Sequence, residues 1–165
     1  MRAIVAIVVF ACGCSVEIGA GSIAPVAIDA PVDASSNPPL SLPVEVEFLS
    51  ADDSQAIADQ YGSKLGAVTA VDLSVQELDV TDGSGASIPG GSLVVAFDGI
   101  TLAKVGDRVR LPDATKQKLL AAIAAHAAFD LTVQATIGWS PPAPPAMDAH
   151  AVVQPIFIVD ALKAL

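Results

Sequence analysis

Two histidines, His126 and His150, and two cysteines, Cys12 and Cys14, are the residues of this 165-residue chain best suited to acid–base, nucleophilic or soft-metal chemistry. Their spacing supports little of it. His126 ends an alanine-rich, helix-forming run, where a cation complements the carbonyl end of the helix dipole, and Asp130 is a suitable partner four positions on. His150 follows Asp148 by two, on the same side of a strand, but a zinc site needs a third ligand that the pattern does not supply. The stretch "DVTDGSGAS" at 79–87 gathers Asp79, Thr81, Asp82 and Ser84, hard oxygens suited to calcium. It lacks the longer acidic loop of an EF-hand, and a hairpin turn accounts for the same residues, so Asp79 and Asp82 are weak calcium candidates. No G-x-S-x-G elbow occurs. Adjacent acids such as Asp52 and Asp53 sit where helix caps and solvated faces are expected. No catalytic residue, cofactor or resident metal is expected.

Trp139, the single tryptophan, stands beside "SPPAPPAM". With Met147 it is the candidate contact point for a protein partner, because aromatic side chains concentrate interface energy. Its competing role is to plug one end of a core poor in aromatics.

Eight basic against eighteen acidic residues give a net charge of −10. That balance repels phosphate backbones and anionic lipid headgroups, which argues against nucleic-acid binding and points to a soluble, self-repelling monomer. The hydrophobic share of 53% is raised by 30 alanines, yet valine, isoleucine and leucine suffice for one core and one domain.

The elements that must position these residues read as follows. "PVEVEFL" at 43–49 alternates as a half-buried strand. Ser50 with Asp53 forms a capping box for a helix carrying Ile57, Tyr61 and Leu65 on one face, ended by Gly62 or Gly66. A strand over 71–80 changes phase near Gln76 or Glu77, which implies a bulge. Strands follow at 92–98, 100–104 and 108–111. Asp113 is the expected N-cap of a second helix with Leu119, Leu120, Ile123 and Ala127 inward. "FDLTVQATI" alternates again, and "AHAVVQPIFIVDAL" is a last strand in which Pro155 implies an edge or a bulge. The expected fold is α+β or mainly β, an antiparallel β-sandwich-like domain with two accessory helices, spanning 43–165.

Ahead of it, residues 15–42 contain no lysine or arginine, are rich in proline, alanine and aspartate, and read as a disordered tether. Residues 1–14, "MRAIVAIVVFACGC", join one positive residue to an apolar run and a small residue before a cysteine, the layout of an export signal. The apolar run, from Ala3 to Ala11, is too short to span a hydrocarbon core of about 30 Å as a helix. "VFAC" and "ACGC" resemble the lipobox of bacterial lipoproteins, in which the cysteine is acylated and becomes the mature N-terminus. The resemblance covers the leader alone and implies lipidation at Cys12 or at Cys14. Cleavage after Ala20 or Ala24 instead would release a soluble, cysteine-free protein.

The resulting expectation is an exported, lipid-anchored envelope protein, at the outer membrane of a Gram-negative bacterium, whose domain is a non-catalytic protein-interaction or structural module. The alternative is a carrier holding a small apolar or lipid ligand between helices and sheet.

Overall fold

A computed structural model describes residues 15–18, 23–32, 35, 37–142 and 146–160. Two antiparallel sheets face each other. The first comprises β1 (Ser15–Ile18), β2 (Val26–Val32), β9 (Met147–Asp160), β4 (Val68–Asp82) and β7 (Arg108–Arg110); β1 and β2 lie end to end along one side of β9, with β4 on the other side and β7 beyond it. The second runs β3 (Leu40–Leu49), β8 (Phe129–Gly138), β5 (Ser92–Phe97), β6 (Ile100–Leu102). The fold is thus a mainly β, sandwich-like one with two helices, α1 (Ala51–Leu65) and α2 (Asp113–Ala124).

Period-two patterning builds both layers. In β3 and β8, Val46, Phe48, Val133, Ala135 and Ile137 point inward and are buried, while Glu45, Glu47, Thr132 and Gln134 face out. The facing layer contributes Val71, Leu73, Val75, Ala151, Val153 and Phe157, and all of these join one continuous core. The expected phase change in β4 is a bulge between Val75 and Glu77, which brings Leu78 and Val80 back to the inner face.

Five expectations are corrected. The tether is one: part of 15–42 is sheet. β1 pairs with β9 from Ser15↔Asp160 to Ile18↔Phe157, β2 pairs from Val26↔Val153 to Val32↔Met147, and β3 begins at Leu40. Ile23, Val26, Ile28, Ala30 and Val32 are buried, so "VAIDAPV" is an alternating strand despite its proline, which lies on an edge strand where the missing N–H is tolerated. Pro155 does not put β9 at the edge of the sheet, because β9 lies between β1 and β2 on one side and β4 on the other, but it sits in a local gap of the pairing where its missing N–H is tolerated. It falls at 154–156, where β2 has ended and β1 has not begun, and there Gln154 Nε2 donates to the Ile23 carbonyl at 2.9 Å. Asp113 is not the N-cap of α2. Pro112 occupies that position without a side-chain bond, and Asp113 pairs instead with the buried Lys116 at 2.7 Å. His126 lies past α2 with φ 54°, a left-handed residue whose N–H closes the last turn onto the Ile123 carbonyl; it is exposed and does not rest on Asp130. Of the stripe expected on α2, Leu119 and Ile123 are buried, Leu120 is half-buried, and Ala127 is exposed beyond the helix end.

Both helices close the same end of the sandwich. α1 crosses from the end of β3 to the start of β4, capped by Ser50 Oγ, which accepts the Asp53 N–H at 3.1 Å, and ended at Gly66. α2 crosses back from β7 to β8. Ser54, fully buried, donates to the Ala127 carbonyl at 2.6 Å, and Lys116 Nζ donates to the Thr69 carbonyl at 2.9 Å, tying the helices to the chain around them. The turn at 82–91 and Trp139 lie at the opposite end.

Candidate functional site

Cys12 and Cys14 lie outside the described residues; the corner to which they connect does not. Ser15 opens β1 opposite Asp160, and the Asp160 N–H bonds to the Ala67 carbonyl at 2.9 Å, so the chain enters the sheet beside the turn from α1 into β4. β1 is clamped from above. Arg108 reaches Glu17 through one guanidinium nitrogen at 2.6 Å and Asp72 through Nε at 2.8 Å, and Arg110 Nε meets the other Asp72 oxygen at 2.9 Å. Burial works to raise the Asp72 carboxyl, but the hydrogen bonds and charges of Arg110 and Arg108 outweigh it and hold the group below the usual carboxylate range. Arg108 is shifted upward, chiefly by its bond to Glu17. This network was not read from the sequence, although "RVR" in a short strand puts both arginines on one face. What the sequence does not give is that the face lies over Asp72.

Next to this corner is a shallow apolar recess, open to solvent and with room for about one water molecule. Ile57, Tyr61 and Leu65 of α1 overhang Val68, Phe157 and Val159, with Ile23 and Lys64 completing the lining. The Tyr61 hydroxyl is buried without a hydrogen-bond partner and does not face the cleft, whose lining is wholly apolar. The cleft arises because α1 turns only Ser54 and Ile57 fully inward and leaves its last turn half over the sheet.

The remaining sequence candidates are placed as follows. Trp139 and Met147 are both buried, at 6% and 2% exposure, and belong to the core; a contact surface needs exposed area, and the end of the sandwich takes the indole instead. Asp79 and Asp82 are not brought together, because three positions along a strand separate side chains onto opposite faces. Asp82 is consumed by its own turn, accepting from Ser84 N–H at 2.8 Å, Ser84 Oγ at 2.6 Å and Ala86 N–H at 3.0 Å, and these bonds hold it below the usual carboxylate range. Asp79 sits across from His150 on the outer face. His150 Nδ1 lies 2.6 Å from Asp29 on β2, and its Nε2 lies 3.8 Å from Glu77 on β4. It stitches three strands and leaves Asp148 aside. Among the described residues no group of three or more histidine, cysteine, aspartate or glutamate side chains is arranged to hold a metal. Nor is any described helix long and apolar enough to cross a membrane.

The described residues therefore offer an ion-paired corner where β1 enters the sheet, a shallow apolar recess beside it, and a second ion-paired array around His150 on the outer sheet face. Comparison with known proteins found no matching family model, no matching curated protein and no matching solved structure.

Proposed function

We propose that this chain is an exported bacterial lipoprotein, anchored by acyl chains on Cys12 or Cys14 at the outer membrane of a Gram-negative cell. Its sandwich domain acts without catalysis, as a structural or protein-interaction module of the envelope. The observation that carries the reading is the leader: a basic residue, a short apolar run and small-residue–cysteine steps, followed by a body from Ser15 to Leu165 with no cysteine at all. An exported domain free of disulfides must be held by apolar burial, and the continuous two-sheet core is consistent with that. A second reading, a carrier of a small apolar or lipid ligand, would have to widen the shallow apolar recess under α1, which as folded has room for about one water molecule.

Intact-mass measurement of the full chain extracted from membranes of an expressing bacterium tests the first reading. The expected product begins at Cys12 or Cys14 with acyl mass attached, and Cys12→Ser or Cys14→Ser abolishes it. A released protein with a bare N-terminus at a later residue overturns the proposal. Native mass spectrometry of the same material decides the second reading by whether a lipid beyond the covalent anchor travels with the domain.

A further inference from the structure

A disordered tether over residues 15–42 would lift the domain from the membrane. Fully extended over 15–42 it would reach on the order of 85 Å. The fold leaves no such length. Ser15 is already the first residue of a strand, paired with Asp160. From Cys12 to Ser15 there are three residue steps and from Cys14 one, so the anchor can stand at most about 11 Å from the sheet, at up to about 3.6 Å per residue.

We infer that the anchored domain is held flush against the bilayer, with its helix-capped end facing the lipid and the end bearing Trp139 directed away. This rests on the lipoprotein reading above and adds an orientation to it. Three observations carry it. β1 is antiparallel to β9 and starts opposite that strand's last residue, so the chain leaves the sheet at the end where α1 meets β4. β1 is held on the sheet by its register and by the Glu17–Arg108–Asp72 pairs, so the anchor joins directly onto the folded domain. The apolar cleft opens beside the same corner, lined by Val159, which pairs with Val16, by Val68 at the start of β4 and by Lys64 in the last turn of α1. An apolar recess rimmed by a lysine suits the boundary between acyl chains and phosphate headgroups. β4, with 15 residues, places the turn at 82–91 some 50 Å from this end, at about 3.4 Å per residue. The outer sheet face with His150 then stands along the membrane normal, accessible to proteins in the aqueous compartment.

The test uses the full acylated chain, purified from membranes and reconstituted in zwitterionic phosphatidylcholine vesicles, since Asp52, Asp59 and Asp113 at this end disfavour anionic lipid. Intact mass first confirms acylation, and the unmodified member of the Cys12/Cys14 pair is replaced by serine. A fluorophore is then placed through Ser63→Cys on α1 or Ala86→Cys in the distal turn, both exposed positions, and quenched by a nitroxide on the lipid headgroup. The expected result is quenching several-fold stronger at position 63 than at 86, abolished by a long glycine–serine spacer inserted between Cys14 and Ser15. Equal quenching at both positions in acylated protein overturns the orientation and leaves the lipoprotein reading standing. Absence of acyl mass overturns both.

Discussion

Removing residues 15–42 separates the two accounts of this segment. If it were a tether, a chain of residues 43–165 would fold as well as one of 15–165. In the structure the deletion strips Ile23, Val26, Ile28 and Val32 from the core, each less than a tenth exposed. Burial of one such side chain is worth about 1.5–3 kcal/mol, so the four together represent roughly 6–12 kcal/mol. That is comparable with the whole stability of a domain, about 5–15 kcal/mol. It also uncovers one side of β9, the central strand, from Met147 to Val153. The expected outcome is that 43–165 is aggregated or lacks a cooperative transition in urea monitored by circular dichroism, while 15–165 unfolds cooperatively. A graded control avoids relying on failure to fold: Ile28→Ala, at 4% exposure, should cost about 3 kcal/mol. In a domain of this size that lowers Tm by roughly 6–12 °C. A 43–165 chain with an unchanged urea midpoint, together with an Ile28→Ala variant within experimental error of the parent, would refute the argument.

Three further outcomes follow from the same geometry. Trp139→Ala should lower stability by about 3–5 kcal/mol in chemical denaturation, as expected for a large core truncation; a Tm equal to that of the parent would return the indole to the surface. Ser50→Ala removes the N-cap of α1 and should cost about 1 kcal/mol, read as a shift of the urea midpoint without change of slope. Asp72, Asp82 and Asp113 all titrate below the ordinary aspartate value in the folded state. Their contribution is therefore fully present above about pH 4, the unfolded value, and is lost as pH falls through the lower folded values. Stability measured against pH should stay level down to about pH 4 and then decline. Asp72→Asn should both destabilise at neutral pH and flatten that decline, and a decline of unchanged steepness would contradict the role given to the arginine pair.

Local pattern made much of the scaffold legible. Strict alternation in "PVEVEFL" and "FDLTVQATI" gave β3 and β8 their inner and outer faces, because a strand's period of two is written directly in the residues. Ser50 and Asp53 marked the start of α1, and the phase change at Gln76 marked the bulge of β4. The candidate site was less legible. Asp79 and Asp82 look like a pair in the sequence but are divided by the pleat, whereas Glu17, Asp72 and Arg108 are far apart in the chain and meet on the sheet.

By itself, the sequence determined the confinement of both cysteines to positions 12 and 14, the acidic charge, and the alternation that commits most of the chain to strands, since each of these is local. Only the tertiary structure decided that "VAIDAPV" is a strand and not a spacer, and that β9 is central despite Pro155. The physical reason is that this short edge segment sets Asp29 and Pro31, both depleted in strands, beside its alternating Val26, Ile28 and Val32, so its local preference is divided. It is held by the partner strand and by the core into which Val26, Ile28 and Val32 fit, and neither can be seen from the segment alone.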